Sequence, residues 1–271
     1  MSLSTDIVKN NLSNLERQDQ ILTFLGSRKR VTVDELMRHL GVSPATVRRD
    51  LDALAKQGKV RRFRGGAMLG QAPPELPALQ RSKEQAEEKK RIGQAAAQLV
   101  EDGDAIFLGS GTTVLEVAKN LHGKKNLTVI TNSLLVVNEL AHDQDIDTVV
   151  IGGMLRHSEL SMIGHIAEQA LREVRANKVF LGIRAIDLKN GLTNDYLPET
   201  LTDRAILNIG AQTIILADHT KCGVVSTAYL APLSAIDILI TDNKTDNGFL
   251  EQLQARDIHT IVAEEAPDSE I

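Results

Sequence analysis

Residues 42–67 read VSPATVRRDLDALAKQGKVRRFRGGA, and this stretch decides the fold of the N-terminal part of the chain. Ser43 can accept a hydrogen bond from a backbone N–H at a helix start, and Pro44 suits the first helical position. Val47, Leu51 and Leu54 then recur at helical spacing and indicate the buried face. The pattern predicts a helix that begins at Pro44 and packs through this apolar stripe.

Polar and basic side chains lie off that stripe, close to the start of the same helix. They are Thr46, Arg48 and Arg49. In helix-turn-helix proteins this end of the second helix contacts the edges of DNA bases. Arginine can bind guanine through two hydrogen bonds or can bind a phosphate, and the sequence leaves open which arginine does which. Taken alone, such a pair is more often a solvated helix surface.

A short basic segment behind this helix has the pattern of a β-hairpin. Residues 59–64, KVRRFR, alternate roughly as a strand and lead into a pair of glycines. Apolar stripes in residues 21–25 and 33–40 predict two earlier helices. Helix, helix, turn, helix and hairpin in this order predict a winged helix-turn-helix domain over residues 15–69. The predicted DNA contacts are Ser43, Thr46, Arg48, Arg49, Arg61, Arg62 and Arg64.

The charge of this region differs from that of the whole chain. Residues 28–64 contain eleven Lys and Arg against four Asp and Glu, a net charge of +7. The whole chain carries −5, so the remainder carries −12. Such asymmetry indicates a nucleic-acid-binding module attached to an acidic body, because affinity for DNA rests largely on neutralising phosphates. The expected partner is double-stranded operator DNA.

Composition excludes several other classes of protein. The 271 residues suggest two domains, and the single cysteine, Cys222, excludes an intrachain disulfide framework and fits a reducing cytoplasm. No apolar run approaches the roughly 20 residues that span a membrane. The first residues lack the apolar stretch of a signal peptide and indicate a flexible tail over residues 1–14. The seven histidines show no metal-ligand spacing. We therefore expect a cytoplasmic protein with no membrane contact, no metal and no cofactor.

A proline-rich segment separates this region from the rest of the chain. Residues 70–77 read GQAPPELP, and prolines disfavour helix and favour an extended chain. We expect a linker over residues 70–84, a helix over residues 80–100, and a second domain over residues 85–265. Seven short apolar runs then alternate with helical stretches, at residues 105–108, 127–130, 148–151, 179–183, 213–217, 238–240 and 259–262. This alternation predicts an α/β domain with a mainly parallel sheet that helices cover on both faces.

Polar residues directly follow several of these runs. Sheets of this kind bind ligands at the carboxyl ends of their strands. The candidate residues are Ser110, Gly111, Thr112, Thr113, Thr131, Asn132, Gly153, Asp218 and Lys221. Glycines and N–H groups at a helix start suit an anion, although a glycine-rich turn is as often only a tight turn. The sequence lacks GxxxxGK[ST] and the GxGxxG spacing, and it therefore predicts a small phosphorylated ligand rather than a nucleotide.

With both halves analysed, the chain resembles the DeoR family of bacterial sugar-metabolism repressors along nearly its whole length. The segments that carry the resemblance are VSPATVRRDL at 42–51, RGGA at 64–67, EK at 88–89, GTT at 111–113, TNS at 131–133, GG at 152–153, Gly164, GLT at 191–193 and ADHTK at 217–221. The resemblance implies a winged helix joined to a sensor domain similar to ribose-5-phosphate isomerase. Such sensors bind phosphorylated sugars and loosen the repressor from its operator.

The resemblance also implies roles for the residues at the strand ends. Residues 110–113 would hold the phosphate, and Asp218 and Lys221 would contact the sugar or its phosphate. Thr131, Asn132 and Gly153 would line the crevice.

One position departs from the family pattern. Many members read like G-x-D-G-I-D where residues 182–187 of this chain read GIRAID. Arg184 therefore stands at the mouth of the expected site, where it can bind a carboxylate or a second phosphate of the effector. Alternatively, it pairs with Glu199 or Asp195.

Together these features predict a transcriptional repressor of a carbohydrate-utilisation operon, released from its operator by a phosphorylated sugar. We expect a homodimer or homotetramer, because a single winged helix covers too little DNA for high specificity. We expect no enzymatic activity. The alternatives are an isomerase-like enzyme with a DNA-binding appendage and a transcriptional activator.

Overall fold

The computed structural model describes residues 14–26, 28, 30–56, 59–63, 65–69 and 77–264. The chain divides into two compact units between Leu76 and Pro77. The described residues do not include residues 1–13 of the predicted tail or residues 70–76 of the predicted linker. Among the described residues, no helix is both long and apolar enough to cross a membrane.

The first unit is the predicted winged helix-turn-helix domain. Its elements are α1 Asn14–Gly26, β1 Val31–Thr32, α2 Val33–Leu40, α3 Pro44–Lys56, β2 Val60–Phe63 and β3 Gly66–Leu69. The apolar stripes of the three helices meet in one core with residues of the strands, and its fully buried members include Ile21, Leu25, Leu36, Val47, Leu51 and Leu54. These are side chains that the helical spacing predicted to be buried.

Local signals set both ends of α2. Thr32 accepts a hydrogen bond from the Glu35 N–H through its Oγ1 (3.2 Å), and the Thr32 N–H donates to Glu35 Oε2 (2.7 Å). This reciprocal pair is a capping box, which satisfies two backbone donors at the helix start. Gly41 ends the helix with a left-handed φ of +66° and donates its N–H to the Met37 carbonyl oxygen (2.9 Å). The short turn to α3 follows from this glycine.

The wing is an antiparallel sheet with the strand order β1-β3-β2. Gly65 has a φ of +93°, and a Cβ added at Gly66 would lie 2.2 Å from the Val31 carbonyl oxygen. The first glycine is thus required by the turn, and the second by the close approach of β1. The predicted hairpin is confirmed.

The second unit, residues 77–264 as described, contains seven helices and twelve strands. In chain order these are α4 Ala78–Arg81, α5 Ala86–Ala97, β4 Ala105–Leu108, α6 Thr112–Lys119, β5 Leu127–Thr131, α7 Leu134–Leu140, β6 Ile146–Val150, β7 Met154–Arg156, β8 Ser161–Ile163, α8 His165–Arg172, β9 Ala176–Gly182, β10 Ala185–Asp187, β11 Gly191–Asn194, α9 Leu197–Leu207, β12 Gly210–Leu216, β13 Ala228–Ala231, β14 Ile238–Asp242, α10 Asn247–Gln254 and β15 His259–Ala263. Single turns of 3-10 helix follow β12 and β13, at His219–Lys221 and Leu233–Ala235.

Seven parallel strands form the main sheet of this described unit, in the order β15-β14-β12-β9-β4-β5-β6. All seven predicted strands are therefore confirmed. Neighbouring residues of β4 enter different cores: Phe107 packs in one hydrophobic cluster, and Ile106 and Leu108 pack in another. Because consecutive strand residues face opposite sides, both faces of the sheet are buried. The fold class is thus confirmed as a winged helix followed by a mainly parallel α/β domain.

The order of the strands shows where the direction of the main sheet reverses. The chain runs outward from β4 through β5 to β6 and then returns to the other side of β4 with β9. Open α/β sheets bind ligands outside the carboxyl ends of the strands at such a reversal. The loops after β4 and β9, which contain Ser110 and Arg184, therefore flank the expected crevice.

The single helix predicted over residues 80–100 is wrong, because two helices, α4 and α5, occupy this range. Gln85 lies between them with a left-handed φ of +50°. Tertiary contacts hold α4 in place: the Ala78 N–H donates to the Ser158 carbonyl oxygen (2.7 Å), and Lys89 Nζ donates to the Arg81 carbonyl oxygen (2.6 Å). No glycine or proline marks this break in the sequence, so periodicity alone does not reveal it.

Candidate DNA interface and effector site

The start of α3 presents the predicted hydroxyls and arginines. Ser43 Oγ accepts a hydrogen bond from the Thr46 N–H (3.2 Å), and the two hydroxyl oxygens lie 2.9 Å apart. Arg48 and Arg49 are exposed, and Arg49 Nε donates to the Ala45 carbonyl oxygen at 3.4 Å. Ser43 therefore caps the helix as predicted, while the two arginines extend into solvent where an incoming DNA backbone or base edge can reach them.

The wing is tied to the same helix through Arg62. One terminal guanidinium nitrogen of Arg62 donates to the Arg48 carbonyl oxygen (3.2 Å) and to Asp52 Oδ1 (2.6 Å). Arg62 thus orients the wing against α3. Arg61 lies in β2 opposite Met68, and Arg64 lies outside the described residues.

A second arginine, Arg17 of α1, forms an ion pair with Asp50 of α3. Its Nε donates to Asp50 Oδ2 (2.5 Å) and its terminal nitrogen donates to Asp50 Oδ1 (3.0 Å). This hydrogen bonding raises the pKa of Arg17 above its ordinary value. From the sequence, Asp50 was considered only as a negative charge and as part of the segment that carries the DeoR resemblance, and its pairing with Arg17 was not predicted. The only feature of the sequence that could have indicated the pair is the position of Asp50 next to the buried stripe of α3.

The loop after β4 brings the main chain to the reversal of the sheet. The Gly109 N–H donates to the Phe180 carbonyl oxygen (3.0 Å), and a Cβ at Gly109 would lie 2.8 Å from Leu181 Cδ1. Gly111 has a φ of +112° and begins α6 without any side-chain cap. The first N–H groups of α6 are therefore available to an anion, and Thr112 and Thr113 are largely buried beside them.

Glu199, one of the two carboxylates considered as a partner for Arg184, contacts this loop. Glu199 Oε1 accepts hydrogen bonds from Ser110 Oγ (3.4 Å) and Ser161 Oγ (3.1 Å). Its other oxygen forms a close ion pair with Arg156, whose guanidinium also lies 4.5 Å from the centre of the Tyr196 ring. The side chains of Arg156 and Glu199 are only 8% and 10% exposed. Arg156 was not among the predicted site residues.

Two polar residues lie at the carboxyl end of β5, and their side chains form different hydrogen bonds. Thr131 Oγ1 donates to the Leu108 carbonyl oxygen (2.7 Å) and accepts from the Ser133 N–H (3.0 Å). Asn132 Nδ2 donates to the Met162 carbonyl oxygen (3.0 Å), whereas its buried Oδ1 has no hydrogen-bond partner among the described residues. Thr131 therefore shapes the edge of the sheet, and Asn132 retains an unused acceptor.

Gly153 and Arg184 are both held by neighbouring segments. A Cβ at Gly153 would lie 2.8 Å from the Ile163 carbonyl oxygen, so β8 requires a glycine there. Arg184 Nε forms an ion pair with Asp195 Oδ2 (2.6 Å), and the Arg184 N–H donates to Asn194 Oδ1 (3.2 Å). Of the partners considered for Arg184, the structure thus shows Asp195, and Glu199 is held by Arg156.

Asp218, Lys221 and Lys89 interact electrostatically. Asp218 is buried and accepts hydrogen bonds through Oδ1 from the N–H (3.0 Å) and the hydroxyl of Thr220. Burial lowers the pKa of the Lys89 ammonium; the Asp218 carboxylate opposes this change and the positive charge of Lys221 adds to it. Lys89 entered the sequence analysis only as part of the family resemblance.

The second unit contains two further buried carboxyls, Asp242 and Asp203. Asp242, at the end of β14, accepts a hydrogen bond from the His219 N–H (2.7 Å) and lies 3.0 Å from His219 Nδ1. Asp203 of α9 accepts from Asn194 Nδ2 (2.7 Å). Burial raises the pKa of Asp203 to about 7, although the positive charge of Arg156 acts to lower it. Within the described residues, no group of three or more His, Cys, Asp or Glu is placed to hold a metal ion.

A winged helix followed by a parallel α/β domain defines a class of proteins, the DNA-binding transcriptional regulators with a separate ligand-sensing domain. Family comparison agrees with both parts. The DeoR-like helix-turn-helix domain matches residues 17–71, and the DeoR C terminal sensor domain matches residues 84–243.

Relatives match over most of their own length. HTH-type transcriptional regulator GolR of Listeria innocua is 33% identical over 92% of this chain and 98% of the relative. HTH-type transcriptional repressor GlcR of Bacillus subtilis is 34% identical over 92% of this chain and 96% of the relative. The glycerol-3-phosphate regulon repressor of Escherichia coli is 32% identical over 85% of this chain and 92% of the relative. The chain belongs to the DeoR family, and it is a DNA-binding transcriptional repressor.

Among solved structures, ribose 5-phosphate isomerase A of Methanocaldococcus jannaschii is similar at 16% identity. The similarity covers 51% of this chain and 55% of that chain, with a TM-score of 0.39.

Proposed function

We propose that this repressor controls a carbohydrate-utilisation operon and leaves its operator when a phosphorylated sugar binds to the second unit. The observation that carries the proposal is the uncapped start of α6 at the reversal of the sheet, where Gly111 turns with a φ of +112°. N–H groups at such a position bind phosphate oxygens. One relative is named for the glycerol-3-phosphate regulon, which supports a small phosphorylated effector.

The predicted site residues take distinct parts in this proposal. Residues 110–113 hold the phosphate, and the free acceptor of Asn132 receives a hydroxyl of the sugar. Asp218 and Lys221 contact the sugar or its phosphate from the end of β12. Thr131 and Gly153 shape the crevice through their contacts with neighbouring segments. Arg184 borders the site in its ion pair with Asp195.

The DNA-binding part of the proposal rests on the exposed start of α3. Arg48 and Arg49 enter the major groove, with Ser43 and Thr46 beside them, and Arg61 and Arg64 contact the flanking phosphates. Arg62, predicted as a third phosphate contact, is paired with Asp52 and instead holds the wing against α3. Two copies of the chain, or four, bind paired half-sites, because one winged helix contacts too few base pairs for high specificity. Such a protein acts in the cytoplasm, where the bacterial chromosome lies.

The second unit senses its ligand and does not turn it over. Asp218 is buried and both Thr220 donors bind one of its oxygens, which gives its carboxylate a structural part in the turn after β12. Incubation with ribose 5-phosphate and related sugar phosphates should therefore give no isomerised product. Measurable turnover that disappears in Asp218→Asn would overturn this part of the proposal.

The experiment that tests the function uses DNA fragments selected by the full-length protein from its source genome. Binding to these fragments is titrated with a panel of sugar phosphates, and one compound should release the DNA at micromolar concentration. Arg48→Ala and Arg49→Ala should weaken DNA binding without changing effector binding, whereas Arg172→Ala, exposed on α8, should change neither. Tight DNA binding that no compound alters would contradict effector release at this site.

A further inference from the structure

The loop proposed to hold a phosphate already contacts an anion. Ser110 donates a hydrogen bond to Glu199, and Ser161 donates to the same carboxylate oxygen at 3.1 Å. The other oxygen is bound by Arg156. Two hydroxyls and a guanidinium are the groups with which proteins bind phosphate. Glu199 is therefore surrounded by the donors of an anion site.

Burial makes this arrangement selective for an anion. The Arg156 side chain is 8% exposed, and a buried guanidinium requires an opposite charge close by. A phosphate dianion brings more negative charge and more acceptor oxygens than one carboxylate. It can therefore replace Glu199 at Arg156, provided that Glu199 moves toward solvent. The Tyr196 ring, 4.5 Å from the guanidinium, continues to cover Arg156 after the exchange.

We propose that Arg156 is an effector-binding residue and that Glu199 occupies the position of the effector's phosphate in the unliganded protein. This inference rests on the proposed function, because it concerns the same strand ends. It assigns the phosphate a cation that neither sequence spacing nor the DeoR resemblance indicated. It also gives Glu199 the role of an internal competitor, which sets how much effector is needed.

The same hairpin that carries Arg156 also holds α4. Arg156 ends β7, and three residues further on Glu159 forms a close ion pair with Arg81. The Ser158 carbonyl oxygen accepts the Ala78 N–H at 2.7 Å. α4 is the first described helix after the segment that leads from the DNA-binding unit. A change of partner at Arg156 therefore acts on the hairpin to which the start of the sensor unit is attached.

Inorganic phosphate is the probe that tests the inference. Calorimetric titration of the full-length protein should show weak binding to the wild type. Glu199→Gln removes the competing charge and should bind phosphate at least about tenfold more tightly, because like charges no longer meet in the site. The double variant R156Q/E199Q should lose this gain. Circular dichroism establishes that each variant is folded, and the double variant leaves neither member of the Arg156–Glu199 pair without its partner.

A matched control removes another carboxylate from a part-buried ion pair of the same unit. Asp104 Oδ2 lies 2.6 Å from Lys178 Nζ at the amino end of β4, the opposite edge of the sheet from Ser110. Asp104→Asn should bind phosphate as the wild type does. Equal tightening in D104N and E199Q would overturn the inference, because a general loss of negative charge would then explain both.

The failure of this inference differs from the failure of the proposed function. If Gly111→Ala abolishes phosphate binding while E199Q binds like the wild type, the α6 site stands and the role of Glu199 is refuted. If none of the proteins binds phosphate, including E199Q, both the proposed phosphate site and the inference fail. Tightening in E199Q that R156Q/E199Q abolishes supports both.

Discussion

Arg17 and Arg62 each pair with an aspartate of α3, and the two pairs should differ sharply in their contribution to stability. The Asp50 side chain is 4% exposed, and its partner Arg17 is 15% exposed. The Asp52 side chain is 63% exposed, and its partner Arg62 is 29% exposed. Arg17→Gln therefore leaves a buried carboxylate without its cation, whereas Arg62→Gln leaves a carboxylate in water.

The burial of the two carboxylates sets the expected magnitudes. Removing one partner of a buried ion pair costs about 3–5 kcal/mol. Because Arg17 is itself partly solvated, we expect about 3 kcal/mol for R17Q, the lower end of that range. Exposed ion pairs contribute about 1 kcal/mol or less to stability. We therefore expect R62Q to lose no more than about 1 kcal/mol. A loss of about 3 kcal/mol is a large fraction of the roughly 5–15 kcal/mol that stabilises a typical domain.

Amide hydrogen exchange of the full-length protein measures this loss directly in α3. A decrease of about 3 kcal/mol in the free energy of opening accelerates exchange roughly a hundredfold. R62Q should exchange within about fivefold of the wild type. The double variant R17Q/D50N should regain most of the protection against exchange. It removes the Asp50 charge together with its partner, so no buried carboxylate is left unpaired at this position. Exchange of α3 in R17Q at the wild-type rate would refute the reasoning.

Three further substitutions test the wing, a buried carboxyl and the attachment of α4. Gly66→Ala places a Cβ 2.2 Å from the Val31 carbonyl oxygen, and urea unfolding should show a loss of about 1–3 kcal/mol. Asp203 has a pKa of about 7 in the folded protein against 3.8 ordinarily, so its protonated form stabilises the fold below pH 4. That contribution is lost as the pH rises toward 7, by about 4 kcal/mol at most, and D203N should show a flatter pH profile of the free energy of unfolding. Glu159→Gln breaks the ion pair with Arg81 and should reduce effector-induced release of DNA at unchanged phosphate affinity.

Each of these substitutions has a control or an outcome that contradicts it. Gly152 has open space around its Cβ position, so Gly152→Ala should leave stability unchanged, and equal effects of the two glycine variants would contradict the packing argument. If the free energy of unfolding depends on pH identically in D203N and the wild type, the raised pKa of Asp203 is contradicted. Full release of DNA from the E159Q protein by the effector that releases the wild type would show that α4 does not transmit the signal.

Much of the fold follows from neighbours in the sequence. The buried stripe of α3, its cap at Ser43 and the turn at Gly65 depend on residues within about one helical turn, and each was predicted. The seven parallel strands were found as continuous apolar runs, because a strand buried on both faces needs no polar alternation. The prediction that a ligand binds at the strand ends rests on the same pattern.

Side-chain partners far apart in the sequence were decided by the tertiary structure alone. Arg17 and Asp50 are 33 residues apart, and Arg156 and Glu199 are 43 residues apart. No periodicity links such positions, because their meeting depends on how whole elements pack. Arg184 illustrates the same limit. From the sequence, both Asp195 and Glu199 were possible partners, and the packed structure shows that Arg184 pairs with Asp195. The sequence by itself thus predicted the helices of the first unit and the seven strands of the main sheet, and it placed the candidate site residues at the carboxyl ends of those strands. The tertiary structure decided which charges meet there, since a buried charge pairs with whatever partner the packed elements bring within reach.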